Sequence, residues 1–364
     1  MGRVRLASTE VVRLRVSSFL LADAPPRGSV LDVARWFGAM QAQDLASAKW
    51  SFGVRLGGTE TDVDAALERF DVLRTWPMRG TLHFVPSEDA RWMLALTGAR
   101  ALAKSASRRT ELGIDTRTAE RAAEVLGAAL AGVRLTRAEA LAVLEAKGIG
   151  TEGQRGYHLL GYAAHRAVVC VGPNRGREQT FASLADAAPN PRALTNDEAL
   201  GLLATRYFQS HGPANLPDFV GWTGLTTTDA RRAIAIARRA LVEVEHEGAS
   251  MWLSPEVRDA PPSGPTFHAL PGFDELMLGL KDRSLLIPAG SMDRIVPGGN
   301  GVFRATMVED GRVIGTWTRA LQKRTVAIEA QPFTRASRAQ RTAFERACSD
   351  YGRFLGLTPT VTWP

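Results

Sequence analysis

The strongest constraint on this chain is a supersecondary order that recurs along it with little sequence identity between copies. Its clearest instance reads "LTRAEALAVLEAKGIG", then "TEGQRGYHLLGYAAHRAVVC", then "AVVCVGPNRGREQTFASL". Thr136 with Glu139 three residues on is the pattern of a reciprocal helix cap, and Leu141, Val143 and Leu144 follow at helical spacing. After a glycine-rich turn, a second helix is predicted from about Gln154, with Leu159, Leu160 and Tyr162 on its apolar face. The period then falls to two. Two short β-prone runs flank a Pro-Asn-Arg-Gly-Arg tip, which predicts a hairpin. Helix, turn, helix, hairpin is the winged-helix order. A second copy begins at Asp197 and closes on "LVEVEHEGASMWLSP", where the turn "HEGA" separates Val242 and Val244 from Met251 and Leu253. A looser third occupies the first hundred residues, from "SVLDVARWFGAMQAQD" to "VLRTWPMRGTLHFVPS".

Beyond about Pro261 the character changes. "APPSGP" resembles a linker, "VFRATMVEDGRVIGTW" alternates about Glu-Asp-Gly-Arg as a hairpin does, and "SRAQRTAFERACSDYGRFLG" predicts a closing helix. The expected class is therefore α+β, with modules at 1–108, 109–190 and 191–260 and an α+β addition at 261–364. A length of 364 residues exceeds what one core ordinarily supports, which fits that division.

Charge narrows the partner. Lys plus Arg total 45 against 38 Asp plus Glu, a formal charge of +7, which favours a polyanion such as nucleic acid. Only five of the basic residues are lysines, so a GC-rich genome is a competing source of the arginine excess. Cys170 and Cys348 fall in no metal-ligand or redox spacing, which suits a reducing cytoplasm. The opening "MGRVRL" and "VSSFLLADA" imitate a secretory signal, but Glu10, Arg13 and Arg15 interrupt the apolar run, and an amphipathic helix fits better. No apolar stretch reaches the ~18 residues of a membrane span.

The familiar catalytic signatures are absent: Gly-x-Ser-x-Gly, the Walker loop, His-Glu-x-x-His and paired Cys-x-x-Cys do not occur. "VPGGNG" at 296–301 lacks the βαβ setting of a phosphate cradle and reads as a turn. His158 and His165 share a helix face without an acidic or thiol partner, so packing or solvent exposure is favoured over metal binding, and no metal or cofactor is expected. At the central hairpin tip, Arg175 and Arg177 stand where a wing would meet a phosphate backbone, the alternative being a solvated turn. Arg155, opening the second helix, would lie near the groove by the same logic.

"MQAQD", residues 40–44, raises a geometric question. Side chains two apart on a helix diverge by about 200°, so Gln41 and Gln43 face one site only if the chain has left the helix. Two carboxamides on one side offer paired donors and acceptors and can hold a water. Being unable to take a proton at neutral pH, they suit a bond whose leaving group departs readily. N7-alkylated guanine, already cationic, is such a group. The other reading of the pair is a helix terminus satisfied by amide side chains.

At this point the sequence resembles the AlkZ-type DNA glycosylases, winged-helix bacterial proteins that include resistance enzymes for DNA-alkylating antibiotics. "GAMQAQD", "RTWPMRGTLHFVP", "VVCVGPNRGREQTF", "GPANLPDFVGWTGL", "LPGFDELMLGLKDRS" and "VFRATMVEDGRVIGTW" occur in the expected order over nearly the whole chain. The resemblance implies three tandem winged helices in a C-shaped arrangement around a basic concave surface for duplex DNA, and monofunctional base excision. The family's catalytic Gln-x-Gln maps onto Gln41 and Gln43 without a gap. A related branch has Gln-x-Asp, and Asp44 stands one residue too late for that role. The family's DNA-reaching hairpin has two candidates here, residues 302–319 and the wing at 171–181, the second favoured for its basic tip. "RTWPMRGTLHFVP" brings Arg79 and His83 near the glutamines on one reading and packs as a strand on the other. The expected activity is excision of bulky N7-alkylguanine by a cytoplasmic monomer acting on double-stranded DNA and not on membranes, with acceptance of interstrand crosslinks left open by the sequence. A non-catalytic winged-helix DNA-binding protein is the rival.

Overall fold

The computed structural model describes residues 4–22 and 28–364; the "MGR" start and the small-residue end of "VSSFLLADA" lie outside them. The chain divides into two compact units, one from residues 64–200 and the other from 1–63 together with 201–364. They are termed the central unit and the split unit.

In the central unit, Thr136 accepts from the Glu139 amide while Glu139 accepts from the Thr136 amide at 2.6 Å, closing the capping box that starts helix Arg137–Ala146. Helix Arg155–His165 follows, then the antiparallel hairpin of Val169–Arg175 and Glu178–Ser183. Helix Thr116–Ala129 precedes this run, and strand Leu135–Thr136 pairs antiparallel with Glu178–Ser183. Strand Val72–Met78 links the hairpin to Thr81–Pro86, again antiparallel. The helices cover this sheet with an apolar core that includes Trp76, Leu126, Leu144, Leu159, Leu160 and Phe181.

In the split unit, helices Asn196–His211, Leu216–Thr223 and Thr227–Ala237 lead into the hairpin of Val242–His246 and Ala249–Leu253. The helical run thus repeats the helix-then-hairpin order. Residues after Pro261 form a second sheet in the order Phe267–Leu270, Ala305–Glu309, Arg312–Leu321, Thr325–Pro332, Thr358–Thr362, antiparallel except for the last pair. The Glu-Asp-Gly-Arg turn joins its second and third strands, as the alternation predicts.

Helix Arg338–Leu355 covers this sheet, burying Phe344, Cys348, Tyr351 and Phe354. Each such aromatic contributes about 1.5–3 kcal/mol by leaving water. Its far end meets helix Leu45–Leu56, where Trp50 lies 5.0 Å from the Tyr351 ring and 5.1 Å from Phe354. Gly53 allows that approach, since a Cβ there would sit 2.5 Å from the Phe354 ring. Residues near the start of the chain are therefore fixed by residues near position 350. "APPSGP" does not separate the C-terminal region from the rest: both sides of it lie in the same unit.

Among the described residues, no helix is long and apolar enough to cross a membrane.

Candidate active site

The segment after helix Val30–Phe37 settles the local geometry of "MQAQD". Ser29 caps the helix start through the Asp32 amide, and Gly38 ends it with a φ of 76° that only glycine adopts without strain. Met40–Gln41 is then extended. Ala42 is fully buried, while Gln41 is half-buried and Gln43 exposed. The strand ends at Gln41 and the chain bends at Gln43 and Asp44, so the helix has been left before both glutamines. Asp44 caps the next helix, Leu45–Leu56, its Oδ1 accepting from the Ser47 amide at 2.7 Å.

The upstream end is held by a residue far away in sequence. The Gln41 amide donates to Glu275 Oε1 at 2.7 Å. Glu275 is 1% exposed, and its Oε2 accepts from Trp222 Nε1 at 3.0 Å and lies 3.3 Å from His211 Nε2. His211 is fully buried, stacked on Tyr207 at 4.6 Å and edged by Phe19 and Phe37. The adjacent Asp274 makes a two-pronged ion pair with Arg55, at 2.8 and 2.9 Å, both side chains wholly buried. Ser51 donates to the same carboxylate at 2.9 Å, and Arg55 Nε donates to Phe19 O at 2.8 Å. Two successive acids, Asp274 and Glu275, thus anchor the helix behind the glutamines and the glutamine segment itself.

Beside Asp44 is a shallow cavity of about 300 Å³, lined by Phe273, Phe303, Arg304, Trp317 and Arg319. Arg283 lies over the Phe303 ring at 5.2 Å. A larger cavity, about 1500 Å³, is bounded by Trp36, Trp50 and the arginines of the C-terminal helix, Arg338, Arg346 and Arg353. Neither lining includes a glutamine, but the smaller one includes Asp44, the residue that directly follows Gln43.

Arg79 and His83 belong to the central unit and pair with each other. Arg79 and Gly80 form the turn between Val72–Met78 and Thr81–Pro86, with φ values of 55° and 74°. His83, fully buried, has Nδ1 2.9 Å from Thr81 O and Nε2 3.3 Å from Arg79 Nη2. A carbonyl only accepts, so the ring proton sits on Nδ1 and Nε2 accepts from the guanidinium.

The three arginines singled out for DNA are held differently. Arg155 donates to the carbonyls of Gly150, at 2.9 Å, and Leu112, so its guanidinium fastens the turn before its own helix. Arg175 pairs with Glu139 at 2.9 Å and donates to Arg134 O at 2.7 Å while remaining about half exposed. That pair holds the Glu139 carboxyl below its ordinary range, after the larger effect of the Thr136 amide. Arg177 is exposed, and among the described residues it has no hydrogen bond or ion pair.

The remaining candidates fall into packing roles. Burial pushes the Cys170 and Cys348 thiols up to about 12, so neither is a thiolate nucleophile. Burial lowers the His158 and His165 pKa, with nearby arginines acting in the same direction, and His165 Nδ1 is 2.7 Å from Gly161 O. Among the described residues, no cluster of His, Cys, Asp or Glu could hold a metal ion.

Sequence reasoning missed Glu275, His211 and Trp222. The available signal was "LPGFDELMLGL", two acids inside an apolar run, which implies buried and therefore partnered carboxylates.

Comparison with known proteins joins these observations. The family model described as "DNA glycosylase AlkZ-like" matches residues 34–354. A curated relative, the interstrand DNA cross-link repair glycosylase of Streptomyces sahachiroi, is 27% identical over 347 residues, covering 91% of this chain and 92% of the relative. The solved structure of Streptomyces sahachiroi DNA glycosylase AlkZ superposes with a TM-score of 0.82 at 23% identity, covering 99% of this chain and 100% of that one, and so shares the fold.

Proposed function

Because the chain belongs to the AlkZ-like DNA glycosylase family, and is thus a hydrolase of N-glycosyl bonds in DNA, we propose that Gln41 and Gln43 carry the reaction on bulky N7-alkylguanine in duplex DNA. The observation that carries this reading is the glutamine segment itself. It leaves the helix at Gly38, Ala42 between the two glutamines is buried while Gln41 is half-buried and Gln43 exposed, and the main chain is pinned at Gln41 and Ser47 by carboxylates.

In this mechanism the two carboxamides orient a water toward C1′ of the damaged nucleotide. The C1′–N9 bond breaks with its electron pair passing to the purine, whose positive charge from N7 alkylation is neutralised as it leaves. Water oxygen bonds to C1′, and its surplus proton passes to solvent, since a carboxamide takes none at neutral pH. Positioning and fixed dipoles supply the rate, which is what a cationic leaving group requires. No lysine is used, so the enzyme is monofunctional and leaves an abasic site.

DNA is held by winged-helix modules. The order helix Thr116–Ala129, strand Leu135–Thr136, two helices and hairpin supports that reading for the central unit, and the helical run with the hairpin Val242–Leu253 supports it for the split unit. The boundaries 1–108, 109–190, 191–260 and 261–364 are retained as limits of motifs, with compact packing cutting the chain elsewhere. Arg177, with Arg175 released from Glu139, contacts phosphate. Crosslinked duplexes, on which the Streptomyces relative is named as acting, belong to the substrate range.

The test is release of free base from duplexes carrying N7-methylguanine, bulky N7 adducts or an interstrand crosslink. Gln41→Ala and Gln43→Ala are each expected to slow single-turnover release by about 10²–10³-fold, the scale of losing an aimed hydrogen-bonding group, while leaving DNA affinity intact. Wild-type rates in both variants would sink the mechanism. Tight binding without release on every duplex would favour the non-catalytic binder.

A further inference from the structure

The groups behind Gln41 bear on how the proposed reaction is held in register. A backbone amide leaving a helix for a two-residue extended segment needs an acceptor, and here it finds a carboxylate 234 residues later in the chain. We propose that Glu275 is the positioning residue of this site: it fixes the main chain at Gln41, and through it the direction of the Gln41 carboxamide. The inference rests on the reading of Gln41 and Gln43 as the groups that orient the attacking water.

Three features argue for a dedicated role. A carboxylate at 1% exposure is costly unless its oxygens are filled, and here each is: one by Gln41, the other by Trp222 and His211. A bond from an amide to a carboxylate is also stronger and better directed than one to a neutral acceptor.

The second feature is the proton inventory of the histidine. Ser210 Oγ donates to Arg206 O at 2.7 Å, so toward His211 Nδ1, also at 2.7 Å, it accepts. Nδ1 therefore carries a proton. The close approach of Nε2 to Glu275 then requires one further proton shared between ring and carboxylate. With the indole of Trp222 on the same oxygen, the Glu275 carboxylate is held from that side while Oε1 accepts from the Gln41 amide.

The third is leverage. Gln41 is half-buried, and holding its main chain in place narrows where its carboxamide can lie. A shift of about 1 Å at a water-positioning group costs on the order of a hundredfold in rate. Losing Glu275 frees that shift without touching the DNA-contacting surface.

The experiment uses the full chain. Glu275→Leu is expected to slow single-turnover release of N7-methylguanine by about a hundredfold with less than about a threefold change in duplex Kd. Glu275→Gln keeps a carbonyl for the Gln41 amide and should stay within about tenfold of wild type. Leu126→Ala, a cavity in the central unit's core, is the stability control: it should lower the melting temperature yet leave the rate at saturating DNA unchanged. Backbone hydrogen exchange gives a readout that needs no activity. The Gln41 amide should be protected in the wild type and exchange much faster in Glu275→Leu.

A Gln41 amide that exchanges as an open one in the wild type overturns the proposal, even if Glu275→Leu fails to fold. So does a Glu275→Leu enzyme that excises at the wild-type rate, or one whose loss is matched by Leu126→Ala at equal melting temperature. Unaltered release by Gln41→Ala instead removes the reading beneath the proposal, and the inference with it.

Discussion

Behind the glutamines of the split unit, two successive acids are buried and paired. Asp274 faces Arg55 and Glu275 faces His211, with exposures of 0–1%. At the hairpin tip of the central unit the cations stand in solvent: Arg175 is half exposed against Glu139, and Arg177 is open. Buried pairs are unforgiving, since each partner left alone is a desolvated charge. Exposed arginines are nearly free energetically and respond to salt. The first arrangement suits groups whose direction must not change, the second a surface that meets a polyanion of variable shape.

The comparison breaks most sharply if the buried side proves soft. Arg55→Leu and Asp274→Ala are each expected to lower unfolding free energy by about 3–5 kcal/mol in urea denaturation, because each strands its partner. The Arg55→Leu/Asp274→Leu double variant should recover a large part of that loss. Single variants within ~1 kcal/mol of wild type would show that the pair is not the anchor it looks to be.

A smaller effect probes the exposed side. Arg177→Ala should weaken duplex binding by about three- to tenfold at low salt and reduce the slope of log K against log salt by about one phosphate contact, leaving the excision rate at saturating DNA unchanged. An unchanged salt slope would remove the wing from the DNA interface.

The smallest concerns a histidine in the central unit. Burial, followed by the nearby Arg109 charge, lowers the His165 pKa against the opposing effect of the hydrogen bond that its Nδ1 donates to Gly161 O. The unfolded chain therefore binds more protons than the folded one between the lowered value and about 6.5. Stability is present in full above that window and is lost as pH falls through it. Melting temperature should drop from pH 7.5 to pH 5.5, and by less in His165→Gln. His158, shifted the same way by burial and by Arg108 and Arg109, adds a lesser contribution of the same sign.

What the sequence made legible was mostly local. Thr136 and Glu139 are three apart, and their cap closes as written. The hairpin tips at Arg175–Glu178 and Glu309–Arg312 sit where alternation and turn residues put them. Spacing required a helix end before Gln41 if the two glutamines were to face one site, and Gly38 supplies that end.

The rest depended on contacts with no local signature. Glu275, His211 and Trp222 converge on Gln41 from three separate segments, and no periodicity predicts which acid in a chain will face which amide. Arg155 looked like a groove residue from its place at a helix start, whereas its guanidinium is taken up by two backbone carbonyls. The return of the chain after residue 200 to pack with its first 63 residues is equally invisible to short windows.

That return has a consequence for biosynthesis. The central unit is contiguous, so all of its core residues are available once position 200 has been translated. The glutamine segment is made early, yet Glu275 emerges 234 residues after Gln41. At ~5–20 residues per second, that interval is roughly 10–50 s. Over the later part of that time, once Ser183 has been made, a nascent chain carries both glutamines and its complete wing but lacks the carboxylate that holds the segment. A chain that has not yet reached residue 275 therefore holds its Gln41 amide without the acceptor that the finished protein gives it.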